Sequence, residues 1–305
     1  MRRLPARLFE ALATLWLLAT LCFFLLRAAE GGPFDTEKAA PPEVIAALEA
    51  QYRLDQPLWR QYLGWLGDVG RGDLGPSFQY PDYTVNRLLA LGLPVTVSNG
   101  ALALALALAV GLPLGAWAAM RAGSPLDRGL MFGAGLGLAV PKFVAAPLLI
   151  LVFAVALQWL PAGGWDGGWR SRVLPVIALA LPNLAYAARL MRASLLETLS
   201  ADYLRAARGR GLSAARVLFA HALRPALLPV AAWLSPALIS VVTGSAIVEQ
   251  VFGIPGIGRY FVQGALNRDY TLVLGVVLVV GAAIVLINAL VDALRRWMDP
   301  RLRDA

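Results

Sequence analysis

Apolar residues fall in six long blocks, at residues 8–26, 93–120, 128–160, 173–191, 226–251 and 271–294. Each covers the roughly twenty residues that a membrane-spanning helix requires. None carries the polar stripe of an amphipathic helix on a soluble core. The alternation of Ala and Leu over 101–110 has a period of two, but both residue types are apolar, so a buried or lipid-facing helix fits better than a strand. The pattern predicts an all-α integral membrane protein with six transmembrane helices. Three regions follow: 1–27 with the first span, a polar region 28–91, and a five-helix core 92–305. The polar region predicts two short helices, one opening at Pro41-Pro42-Glu43 and running to Gln51, the other over 57–69.

Small residues recur four apart at Gly111/Gly115, Gly129/Gly133/Gly137 and Ser240/Gly244, a spacing that lets helix backbones approach closely in lipid. Pro182 and Pro236 are expected to bend their helices.

At 59% hydrophobic and 15% charged, the chain lies outside the range of soluble globular proteins. Its net charge of +8 does not read as a nucleic-acid surface, because the basic residues flank apolar blocks. Residues 189–224 hold seven arginines and two acids, whereas 27–87 holds nine acids and six bases. Placing the basic segments inside puts both termini in the cytoplasm and 28–91 outside. The basic start and first apolar run could also be a cleaved secretory signal, but Arg27 interrupts the stretch where small residues should mark a cleavage site, so a retained span is expected.

One cysteine, Cys22, and one histidine, His221, exclude an internal disulfide and a Cys/His zinc site. No Gly-Lys pair occurs, so the chain has no phosphate-binding P-loop of its own, and no nucleophile, base and orienting acid converge in it. It is therefore not expected to be an enzyme. The stretch between the fourth and fifth spans carries the most information. Its first half, around Tyr203, Leu204 and Ala207, has helical spacing, Gly209 and Gly211 end the helix, and Ser213 can cap a second one. Two polar residues interrupt the apolar blocks: Lys142, beside Pro141 near the middle of the third, and Glu249 near the end of the fifth. A lysine at that depth should face a cavity, a partner or water, or bond a carbonyl at a proline-distorted turn. Glu249 is either a path residue or a solvated helix end. Region 28–91 reads as a cap on the membrane or a landing surface for an external partner.

Arg205-Ala206-Ala207, Gly211 and Leu228-Pro229 occupy the positions of the Glu-Ala-Ala…Gly…Leu-Pro signature in the cytoplasmic loop of ABC-importer permeases, with Arg205 in place of the leading Glu. GDLGPSFQYPDYTVNRL from Gly72, VAAPLLILVFA from Val144, LPAGGWDGG from Leu160, TGSAIVEQVFGIPGIG from Thr243 and GALNRDYTLVL from Gly264 extend the likeness over nearly the whole chain. The chain resembles permeases of the peptide/nickel family, most similarly the oligopeptide permease B-type subunits. Lys142 departs from the small hydroxyl residue usual after that proline.

The resemblance implies a type I ABC importer permease architecture and transport of peptides, with oligopeptides as the first expectation. It implies a homologous C-type permease, two cytoplasmic ABC ATPase subunits that bind ATP and Mg, and an extracytoplasmic peptide-binding protein as partners. No cofactor on this chain and no nucleic acid are implied, and lipid is the surrounding solvent. The coupling loop, 197–225, would contact an ATPase through Asp202, Tyr203, Arg205, Ala206, Ala207, Gly211 and Leu212. Lys142, Ser240 and Glu249 would line the path, and Phe252, Pro255, Gly256 and Asn267 would form an outer gate meeting the binding protein. Dipeptides, nickel chelates or other small solutes are alternative substrates. A secondary transporter without ATPase partners is the alternative class.

Overall fold

A computed structural model describes residues 3–28, 32–34, 41–166 and 168–298. Residues 1–2 and 299–305, which hold part of the basic charge expected at the two ends, lie outside the described residues. The chain is helical almost throughout. Its elements are α1 (Arg3–Ala28), α2 (Pro42–Gln51), α3 (Leu58–Gly70), α4 (Val85–Met120), α5 (Pro125–Ala139), α6 (Lys142–Leu149, continued by a π-helical turn Ile150–Ala156) and α7 (Trp169–Leu199). There follow α8 (Asp202–Gly209), α9 (Ala214–Arg216, continued by a π-helical turn Val217–Ala222), α10 (Leu223–Ala226), α11 (Leu228–Phe252), α12 (Ile257–Leu266) and α13 (Tyr270–Met298). Among the described residues the only β pairing is an isolated bridge between Pro76 and Thr84.

Five helices, α1, α4, α7, α11 and α13, are long and apolar enough to cross a membrane, and α5 with α6 makes a sixth span if that bent pair is counted as one. The block at 128–160 is thus two helices at 103°, where the sequence suggests one. Pro141 causes the break. It offers no N–H to the helix and pushes the preceding residue out of the α region, and Val140 is extended at φ −82°, ψ 114°. Pro182 and Pro236, by contrast, sit inside continuous helices.

The chain divides into two compact units, Met1–Val95 with Pro255–Val285 and Thr96–Ile254 with Leu286–Ala305. In the first, Phe23 at the end of α1 is fully buried against Tyr62 and Trp65 of α3, with ring centroids 5.3 and 5.4 Å away. A core of Val85, Leu88, Leu89, Ile257, Leu272 and Val276 joins the start of α4 to α12 and α13. Buried Asp269 caps α13: it accepts the Leu272 amide at 3.0 Å, and also the Ser77 hydroxyl at 2.5 Å and the Gln79 amide at 3.1 Å. One carboxylate therefore ties the 77–79 loop to a helix start, where negative charge is favoured.

In the second unit α4 and α7 touch backbone to backbone. A Cβ on Gly111 would lie 2.6 Å from the Leu184 carbonyl oxygen, and one on Gly115 2.2 Å from that of Ala188. The Gly129/Gly133/Gly137 spacing behaves differently, since only Gly137 meets another helix, at Ala185, while Gly129 and Gly133 face open space. A bidentate ion pair fastens α5 to α7: Arg192 donates to the two carboxylate oxygens of Asp127 at 2.5 and 2.7 Å, and the Asp127 side chain is 2% exposed. The second Asp127 oxygen also accepts the Gly123 amide at 2.9 Å, and Ser124 caps α5 by accepting the Asp127 amide.

Asp127→Asn should lower stability by about 2 kcal/mol, because it removes one charge of a largely buried pair and leaves Arg192 without its counter-ion. The thermal midpoint in detergent is the readout, and Arg192→Gln should give a loss of similar size. Gly115→Ala should force α4 and α7 apart at a cost of about 1–3 kcal/mol, whereas Gly129→Ala, facing open space, should be tolerated. Equal midpoints for the two alanine variants would contradict the packing described.

Candidate functional site

The helix break after α7 comes at Ser200, and Asp202 opens α8 with an acid in its first turn. The eight residues of α8 present two unlike faces. Leu204 is fully buried in a cluster with Ala119, Met191, Leu195, Val217, Ala222, Ala226 and Val230, so α8 is seated on the ends of α4 and α7 and on α9–α11. Asp202, Tyr203, Arg205, Ala206, Arg208 and Arg210 are exposed. Ala207 is half-buried and packs on the same cluster, as does Leu212. The two alanines of the motif are therefore not equivalent, and Ala206 is the one that faces outward.

Local bonds hold this geometry. Arg205 pairs with Asp202 one turn earlier. Gly211 has φ +80°, a left-handed conformation that suits glycine and ends the α8 turn. Ser213 caps α9 by accepting the Arg216 amide. Pro225 has no N–H to give to the carbonyl of His221, and the Tyr203 hydroxyl donates to that carbonyl at 3.4 Å. Ser194 of α7 donates from a buried hydroxyl to the Ala226 carbonyl at 2.9 Å. His221 is exposed and stands on the loop's second half.

Within the spans, Lys142 is the first residue of α6, at the break that Pro141 makes. Its ammonium donates to the Ser240 carbonyl at 3.0 Å and lies 3.4 Å from the Ser240 hydroxyl. The structure thus brings Lys142 and Ser240 together. A Cβ at 244 would lie 2.2 Å from the Lys142 Nζ, so a larger residue there would require the lysine tip to move. Among the described residues no carboxylate pairs with Lys142. Trp233, Ser240 and Gly244 fall on one face of α11 by their spacing, and Trp233 stacks on the half-exposed Tyr186 of α7 at 5.0 Å between centroids.

Glu249 stands apart from this group, nine residues beyond Ser240 and so roughly 13 Å along the helix. It is fully buried and accepts the Thr96 hydroxyl of α4 at 2.6 Å, so it is not a solvated helix end. Phe252 closes α11 and is buried; its carbonyl accepts the Gly164 amide at 2.8 Å, and a Cβ on Gly163 would lie 2.4 Å from that oxygen. In the same loop Asp166 accepts the Ser171 hydroxyl at 2.7 Å and the Gly168 amide at 3.0 Å, and these bonds hold its carboxyl below the usual range. Pro255, Gly256 and Asn267 belong to the other unit, where Gly256 precedes α12 and Asn267 ends it by donating from its own amide to the Gln263 carbonyl.

The sequence reading missed Leu204 as an anchor, Thr96 as the partner of Glu249, and the Tyr186–Trp233 stack. The anchor was within reach, because Leu204 is the large aliphatic residue in an otherwise polar turn. Thr96 and the stack depend on helix pairing that no local signal reports. Among the described residues no group of three or more His, Cys, Asp or Glu side chains could hold a metal ion.

Residues 111–304 match the family described as "Binding-protein-dependent transport system inner membrane component". Over 97% of both chains, this one is 48% identical to the oligopeptide transport system permease protein OppB of Haemophilus influenzae. It is 46% identical to OppB of Escherichia coli over the same shares. It is also 39% identical to the dipeptide transport system permease protein DppB of Bacillus subtilis, over 99% of this chain and 98% of that one. A solved amino acid ABC transporter matches with a TM-score of 0.55 at 21% identity, covering 69% of this chain and 94% of its own. The MetNI methionine ABC transporter matches with the same score at 20% identity, covering 70% and 96%. These two share the fold, and the sequence relatives carry the kinship: the chain belongs to the family of multi-pass inner membrane permease components of binding-protein-dependent transport systems.

Proposed function

We propose that this chain is one of two permease subunits of an ATP-driven importer whose cargo is peptides, most readily oligopeptides. Its relatives named for oligopeptide transport support that cargo, and the 39% identity to a dipeptide permease favours dipeptides as the second reading. In this reading a homologous second permease completes the path, two cytoplasmic ATPases bind and hydrolyse ATP with Mg, and an extracytoplasmic binding protein delivers the peptide. In the same reading ATP hydrolysis belongs to those ATPases and not to this chain.

One observation supports the coupling role above the others: α8 is exposed on its arginine and Ala206 side while Leu204 is fully buried among the span ends. A helix seated in this way can move only with the spans it is packed on. ATP-driven closure of the ATPases would draw α8 along and with it α4, α7 and α11, as a rigid-body switch between two packings. Ala206 would admit the ATPase surface closely, and Arg205, Arg208 and Arg210 would meet acidic groups there. Around Lys142, the ammonium, bonded to Ser240 but with no carboxylate partner among the described residues, and the Tyr186–Trp233 stack would offer a peptide a charge for its carboxylate and a flat apolar surface.

Ala206→Asp should reduce ATP-driven peptide uptake in reconstituted vesicles by roughly tenfold or more, the effect of a charge buried unpaired at a contact, while insertion and thermal midpoint stay unchanged. Ala207→Asp should cost stability as well, because that residue packs on the chain's own cluster. Wild-type uptake by Ala206→Asp would remove α8 from the ATPase contact. Lys142→Ser should change the ratio of uptake between peptides with a free carboxyl terminus and the same peptides amidated. An unchanged ratio would leave Lys142 as a bond that stabilises the helix break.

A further inference from the structure

In the unit that contains α1–α3, a cavity of about 480 Å³ opens at the end of α1. Arg27, Arg53 and Arg60 line it together with Tyr52, Trp65 and Phe78. Two acids also line it among the described residues: Asp68, which pairs with Arg71 at 3.6 Å, and Asp73, which accepts the Gly75 amide at 2.9 Å, so the three arginines leave the lining net positive. None of the three lining arginines has a carboxylate partner among the described residues.

Arg27 is half-buried and held from behind. Its Nε donates to the Gln61 Oε1 at 3.0 Å, and its guanidinium lies 3.6 Å from the Phe23 ring centroid. Gln61 is itself fixed, because its amide donates to the Leu54 and Gln56 carbonyls at 3.0 and 2.8 Å. The Arg27 Nη1 lies 3.5 Å from the Phe23 carbonyl, and no carboxylate among the described residues meets its remaining N–H groups. Arg53 follows α2 with φ +59°, in the left-handed turn that ordinarily ends a helix in glycine. The chain accepts an arginine in a conformation that favours glycine, and that arginine lines the cavity.

We propose that this cavity binds an oxyanion, a carboxylate or phosphate attached to an apolar or flat body. Guanidinium groups supply paired donors in the geometry such groups accept, and the aromatic residues supply the surface for the attached body. Two sources carry this chemistry to the end of a span: the carboxyl terminus of a peptide, which rests on the transport reading above, and the headgroup of an anionic phospholipid, which does not.

The full chain in phosphatidylcholine nanodiscs distinguishes them. Calorimetric titration with Ala-Ala-Phe and with its carboxyl-terminal amide tests the first source, and native mass spectrometry after adding phosphatidylglycerol tests the second. Loss of one charge-assisted contact corresponds to roughly tenfold in affinity. If the peptide is the ligand, the amide and the Arg53→Gln and Arg60→Gln variants should each bind roughly tenfold more weakly. If the lipid is the ligand, retained phosphatidylglycerol should fall in the same variants and the peptide should show no arginine-dependent heat. Arg27→Gln, which also loosens the end of α1, is read beside the two exposed positions. Failure of both probes, or binding that all three variants leave unchanged, overturns the proposal. Peptide binding that Lys142→Ser removes and the arginine variants spare overturns it too, while leaving the transport reading intact.

Discussion

The burial of one leucine is what fixes the segment between α7 and α11 to the helices around it. α8 is too short to persist alone in water, since a single pair of turns does not repay helix nucleation. It exists because Leu204 is removed from solvent among residues drawn from α4, α7, α9, α10 and α11. The cluster therefore does two things at once. It stabilises the short helix, and it makes that helix inseparable from the spans beneath it. The polar side of α8 is then free to carry whatever chemistry a partner requires.

Around this seat the second unit relies on contacts that tolerate little change. The α4–α7 approach leaves no volume at Gly111 or Gly115, and the Asp127–Arg192 pair fixes α5 beside α7 with two parallel bonds. Close-packed helices and bidentate pairs shift between discrete arrangements more readily than they deform. α8 is thus seated on whole helices rather than on a yielding loop.

Much of this was legible in the sequence, for local reasons. Ser213 and Gly211 announce a cap and a turn through their own backbone preferences, and both do that work here. Apolar block length marks the spans wherever no proline interrupts. Pro141 was visible, yet the residues beyond it stay apolar, so composition alone joined two helices that stand at 103°. Glycine spacing was a weaker guide. Gly115 and Gly129 look alike in sequence, but only one meets a neighbour, because spacing describes a face and not what lies against it. Contacts such as Asp127–Arg192, separated by 65 residues, have no local signature at all.

Lys142 and Gly244 share one volume. The lysine tail occupies the space that a larger residue at 244 would need, and that occupancy couples the two positions. While the lysine keeps this rotamer, a side chain at 244 meets its tip, and the lysine must swing aside to admit one. Once the lysine shortens, the restriction lifts and alanine or serine becomes admissible there. A larger residue at 244 would therefore displace the ammonium from the Ser240 carbonyl, so the two positions share one bond as well as one volume.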